Sequence, residues 1–145
     1  MILLDTDHFS VVTDVRHRLH LRLIHRLEDA TEPIAISIVS VEEQLRSWLA
    51  QVNRAPDVQK QIIPYDRLIR LIDGLGKWEV ARFSESAADE FLRLRKARIR
   101  IGTQDLKIAS IALANDATLL SANLRDFQQV PDLRVEDWLN GDISE

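Results

Sequence analysis

The chain contains no cysteine. That absence excludes disulfides, thiolate zinc sites and cysteine nucleophiles. No apolar run approaches the ~20 residues of a membrane-spanning helix. The first residues show no basic segment or cleavage signal of a secretory leader. These absences lead to the expectation of a cytoplasmic protein with no membrane partner. Internal repeats and low-complexity tracts are also missing. There is no excess of positive charge: 19 Lys and Arg stand against 23 Asp and Glu, for a net charge of −4. The molecule as a whole does not attract polyanions, so any contact with nucleic acid falls to local basic patches. What is present is a chain of 145 residues, 46% hydrophobic and 29% charged. That is enough for one domain, residues 1–145, which would bury roughly two-thirds of its unfolded surface.

Residues 2–4 and 34–39 are apolar runs without alternation. This is the pattern of strands buried on both faces of a parallel sheet. Shorter strands are expected at 79–83, 118–120 and 133–135. Helical periodicity or composition marks 9–13, 15–27, 41–52, 57–75 with a break near Pro64, 85–98, 104–115 and 124–127. The segments 41–52 and 57–75 form an antiparallel helical hairpin. Strands alternating with helices predict an α/β fold with a mostly parallel central sheet and right-handed crossovers. Expected caps are Asp7 or Ser10 for the first helix, a Ser40-x-x-Glu43 capping box, Ser84 and Thr103. Trp138 is expected to pack as a terminal plug.

In open α/β sheets, ligands bind beyond the carboxyl ends of the strands. Asp5 ends the first strand, Glu43 follows the second and Asn123 follows the fourth. Asp105 opens a helix that leads into the fourth strand. Two of these residues have structural explanations. Glu43 completes the capping box, and Asp105 is an anion favoured in a first helical turn. If they converge, their carboxylates repel one another and call for a cation. Oxygen donors without His or Cys favour Mg²⁺, with Mn²⁺ able to substitute. Such a site polarises a phosphate and activates water for in-line attack. Two stretches are basic: 16–26, and 93–100 with Arg95, Lys96, Arg98 and Arg100. They are solvated faces or contacts for RNA phosphates.

At LLDTDHFS, ISIVSVEEQL and IGTQDLKIASIALANDATLLSANLRDF, followed by VPDLRVEDW, the chain resembles the PIN-domain nucleases, specifically the VapC-like toxins of bacterial toxin–antitoxin pairs. The resemblance covers almost the whole chain and implies a PIN-like three-layer fold. It further implies an Mg²⁺-dependent endoribonuclease that leaves 3′-hydroxyl and 5′-phosphate ends, a small antitoxin partner and a homodimer. The family's first three acids map onto Asp5, Glu43 and Asp105. Its fourth acidic position falls on Asn123, with Asp126 three residues on. Asp7 stands where the family often has Asn. Asn123 opens an alternative, a PIN-like domain that binds RNA or protein without cutting. Asp5-x-Asp7 also resembles the haloacid-dehalogenase phosphatases. Those need a downstream lysine in a particular setting, which neither Lys77 nor Lys107 has.

Overall fold

The computed structural model describes residues 1–140. Five strands form one parallel sheet: β1 (Ile2–Leu4), β2 (Ile34–Ser37), β3 (Glu79–Ala81), β4 (Thr118–Leu120) and β5 (Arg134–Glu136). Their spatial order is β3-β2-β1-β4-β5. Leu3 pairs with Ala35 on one side and Leu119 on the other. The chain moves outward from β1 in one direction through β2 and β3, and in the other through β4 and β5. The gap between β1 and β4 is therefore the point where strand order reverses, and a crevice opens there beyond the strand ends.

The helices are α1 (Thr6–Thr13), α2 (His20–Asp29), α3 (Ile38–Arg54), α4 (Ile62–Leu75), α5 (Glu85–Lys96), α6 (Thr103–Ala114) and α7 (Leu124–Phe127). Successive strand residues point to opposite faces, and two cores result. Leu3, Ala35 and Leu119 pack with Ala87 and Leu94 of α5 and Leu106, Ile108, Ala109 and Ile111 of α6. Ile2, Leu4, Ile36 and Leu120 pack with Phe9, Val12, Leu23, Leu27, Val41 and Leu71 from α1 to α4. This is the expected three-layer arrangement, with α3 and α4 forming the helical hairpin. Trp138 closes the second core as a plug; its backbone N–H donates to His8 Nε2 at 3.0 Å, and Arg26 lies 4.2 Å over its ring. None of the helices among the described residues is long and apolar enough to cross a membrane.

Several element ends differ from the expected ones, each for a local reason. The strand expected at 34–39 stops at Ser37, whose Oγ accepts from Val39 N at 3.1 Å and starts α3 early. The Ser40–Glu43 capping box therefore does not form. Ser40 lies inside the helix, its buried Oγ without a hydrogen-bond partner. The first helix begins at Thr6, capped by Asp5 in place of Asp7 or Ser10. The helix expected at 15–27 starts only at His20. Before it, Asp14 Oδ1 accepts from Arg16 N and His17 Nδ1 from Leu19 N, which holds the chain in turns. Gly102, not Thr103, is the N-cap residue of α6, whereas Ser84 caps α5 as expected. Pro64 sits in the first turn of α4, where its missing N–H would have had no intrahelical acceptor. Gly74 lies within α4. A β-carbon there would stand 3.3 Å from Thr13 Cγ2, so glycine permits the close approach of α4 to α1.

Candidate active site

Asp5 sits where β1 ends beside β4. Its backbone N–H donates to Leu120 O at 2.9 Å. Its Oδ1 accepts from Thr6 N at 2.7 Å and its Oδ2 from Ser121 Oγ at 2.8 Å. Asp5 as a whole residue is 6% exposed. Burial, with the neighbouring charge of Asp7, pushes its pKa from 3.8 up to about 6. Glu43, projecting from the second turn of α3, accepts from Thr6 Oγ1 at 2.7 Å. Thr6 therefore ties two acids together, one through its amide and one through its hydroxyl.

The other half of the cluster is held from the β4 side. Asn123 Nδ2 donates to Asp105 Oδ2 at 3.2 Å and to Asp126 Oδ2 at 3.0 Å. Asn123 N donates in turn to Ser121 Oγ at 3.0 Å, the hydroxyl that reaches Asp5. Partial burial, then the charges of Glu43 and Asp126, raise the Asp105 pKa. Asp126 thus turns inward, onto the same amide as Asp105. One hydrogen-bonded set links Asp5, Thr6, Glu43, Ser121, Asn123, Asp105 and Asp126. The four acids named from sequence lie within it, and Asn123 presents its amide nitrogen to two of them.

Asp7 flanks the cluster. Its Oδ2 accepts from Ala122 N at 2.8 Å, and its Oδ1 faces His8 Nδ1 at 2.6 Å. His8 is fully buried. With Nε2 accepting from Trp138 N, Nδ1 carries the proton and donates to Asp7. Sequence reasoning gave no role to Thr6, His8 or Ser121. The available signal was position: each adjoins an acid or a strand end.

Arginine forms ion pairs at Glu42–Arg46, Glu90–Arg93 and Asp116–Arg134, and none of these three involves Asp5, Glu43, Asp105 or Asp126. The donor set is oxygen only and strongly anionic, which suits a hard divalent cation. Among the described residues, no three acidic or histidine side chains are yet drawn close enough to close on an ion. Thr6, Ser121 and Asn123 hold the carboxylates instead.

Arg95 and Lys96 are exposed in the last turn of α5, and Arg98 and Arg100 are exposed on the connection from α5 to α6. Arg98 takes a left-handed conformation, φ 60°. Arg98 N donates to Arg95 O and Ile99 N to Leu94 O, which ends α5 and turns the chain toward the helix that carries Asp105. Arg95 also lies 5.3 Å over the Phe91 ring.

Over 68 residues the chain is 35% identical to ribonuclease VapC2 of Rickettsia felis, covering 44% of this chain and 51% of that protein. Over 85 residues it is 29% identical to the tRNA(fMet)-specific endonuclease VapC of Salmonella typhimurium, covering 55% and 64%. The chain thus spans between half and two thirds of the length of these relatives. The solved structure of VapBC2 from Rickettsia felis bound to a promoter DNA fragment superposes with a TM-score of 0.73 at 24% identity, covering 95% of this chain and 99% of that one. That likeness shows a shared fold. The PIN domain family matches residues 2–133. This chain belongs to the PIN domain family.

Proposed function

We propose that this protein is an Mg²⁺-dependent endoribonuclease, with Mn²⁺ able to substitute, and the toxin of a toxin–antitoxin pair in the cytoplasm. The observation that carries the reading is the gathering of Asp5, Glu43, Asp105 and Asp126 in one hydrogen-bonded set at the strand-order reversal, two of them with raised pKa values. The relatives named ribonuclease and endonuclease support the choice of RNA. The solved VapBC complexes of the same fold support a small antitoxin as partner, and self-association into a homodimer goes with that assembly.

Asp5, Glu43 and Asp105 would hold the cation, with Asp126 and Asn123 at its edge. When bound, it supplies positive charge against the scissile phosphate and lowers the pKa of water. The chain's own residues do the rest. Thr6 and Ser121 hold Asp5 and Glu43 in fixed orientations. Asn123 keeps Asp105 and Asp126 from swinging apart despite their repulsion. Arg95, Lys96, Arg98 and Arg100 would hold the flanking phosphates.

Incubation of the purified protein with cellular RNA, with Mg²⁺ or with chelator, tests the reading. Cleavage that needs the cation and leaves 3′-hydroxyl and 5′-phosphate ends is expected. RNA binding without turnover under any divalent cation would replace the nuclease with a binding domain.

A further inference from the structure

A cleft of ≈ 370 Å³ opens beside Glu43, away from Asp105 and Asp126. Its volume falls in the range of small-ligand sites, about 300–1,000 Å³. Ser10 of α1, Gln44 and Trp48 of α3, and Arg67 and Arg70 of α4 line it. The Arg67 guanidinium lies 5.8 Å from the Trp48 ring centroid, and both side chains are half-buried. Resting on the nuclease reading, we propose that this cleft receives one unpaired base of the RNA strand beside the scissile phosphate, stacked against Trp48 and the Arg67 guanidinium.

Unpaired bases are bound in this way, on aromatic rings and guanidinium planes, by proteins that read single strands. The cleft also offers groups for a base edge. Gln44 Nε2 donates to Ser10 Oγ at 3.0 Å, so Gln44 keeps its carbonyl oxygen and Ser10 its hydroxyl hydrogen. A phosphate is the poorer occupant, because the carboxylates of Asp14 and Glu43 line the same cleft as the two arginines. An uncharged base with both donors and acceptors meets no such conflict. Position relative to the chemistry follows from Glu43, which borders the cleft and shares Thr6 with Asp5. The helical hairpin of α3 and α4 thereby becomes the arm that selects which nucleotide sits at the cut.

The test uses fluorescein-labelled oligoadenylate and an abasic strand of equal length. Binding is measured with Mg²⁺ in the cleavage-disabled Asp105→Asn background. Oligoadenylate should bind roughly tenfold or more tightly than the abasic strand. Trp48→Ala should remove most of that difference and leave abasic binding unchanged, while Trp48→Phe keeps most of it. In the cleaving protein, Trp48→Ala should raise KM by a similar factor and leave kcat unchanged. If the protein neither cleaves nor binds RNA, the nuclease reading itself falls. If it cleaves and binds, but the abasic strand binds as tightly as oligoadenylate, the cleft assignment falls alone, and no variant is needed to see it. Unchanged RNA binding by Trp48→Ala, together with lost binding of the antitoxin, would make the cleft a protein-docking site and overturn the proposal.

Discussion

Asp5→Asn should make the metal-free protein more stable at neutral pH while abolishing RNA cleavage. The wild-type carboxyl has a folded pKa of about 6 against 3.8 for the ordinary group, chiefly because it is buried. The folded state therefore holds this proton more tightly than the unfolded state. Below pH of about 4 both states are protonated and Asp5 costs nothing. Above pH of about 6 both have released the proton and the full cost of the buried charge applies. A shift of about two units, at 1.36 kcal/mol each, gives about 3 kcal/mol of destabilisation at pH 7. Asparagine removes that cost and keeps the geometry. Its oxygen can accept from Thr6 N, since Asn caps helices as well as Asp does. Its amide can donate to Ser121 Oγ, which then accepts in place of donating. In a domain of this size the gain corresponds to a Tm rise of roughly 5–10 °C.

Paired thermal melts of wild type and Asp5→Asn with chelator, from pH 4 to pH 7.5, measure this effect. The gap should open as pH rises through the interval from about 4 to 6 and then stay constant. Added Mn²⁺ should narrow or reverse it, because only the wild type gains strongly from the ion. A variant less stable than wild type at pH 7, or a gap equal at both ends of the range, would refute the argument that burial of charge dominates at Asp5.

Glu43→Gln should hold its stability within about 1 kcal/mol, because the amide oxygen can still accept from Thr6 Oγ1, yet lose at least roughly 100-fold in cleavage rate; near-normal cleavage would remove it from the site. Neutralising two of Arg95, Lys96, Arg98 and Arg100 should flatten the salt dependence of RNA binding by roughly 0.7 in logarithmic slope per lost phosphate contact, and an unchanged slope in titrations across salt would make the run a solvated face. His8→Ala should cost several kcal/mol in denaturant melts, since it leaves the buried Trp138 N–H without its partner, at about 1–3 kcal/mol, and opens a cavity in the core. Asn123→Asp should lower the metal-free Tm by setting a third carboxylate against Asp105 and Asp126, and should tighten Mn²⁺ binding by calorimetry; weaker binding would show that the amide itself is needed.

The parallel sheet, its flanking layers and the hairpin were legible because buried parallel strands read as short apolar runs. Asp5, Glu43, Asp105 and Asn123 were legible because each lies at a strand or helix end, where topology converges. What was not legible was decided by competition between neighbouring groups. Ser37 and Ser40 both precede the α3 acids, and only the backbone shows that Ser37 is the cap. Once the helix starts at Ile38, Glu43 has left the first turn, and the capping explanation for it disappears. Asp14 and His17 likewise divert local amides into turns, so a segment with helical apolar spacing is not helical throughout. The joining role of Thr6 depends on contacts 37 residues apart in the chain, and that of Ser121 on contacts 116 residues apart, distances that no local pattern carries.

The treatment of charge separates this cluster from a structural one, and two adjacent glutamates show the contrast. Glu42 accepts from Gln104 at 2.8 Å and pairs with Arg46 at 2.6 Å, and its pKa falls. Its charge is answered within the protein. Glu43 is met by a threonine hydroxyl, Asp5 by a serine hydroxyl and a backbone amide, and Asp105 by an asparagine amide. These neutral donors fix where the oxygens point without cancelling their charge. A lysine or arginine in the same places would stabilise the free protein and also extinguish the negative potential. The exposed amides at the start of α1 and α6 give Asp5 and Asp105 partial compensation, enough to let the chain fold, but both pKa values remain raised. On the proposed metal-dependent reading, a cation entering the site would release that free energy, since it would relieve burial and repulsion together. A fold that orients its acids and leaves them uncompensated therefore gains affinity for a divalent ion at the expense of its own stability.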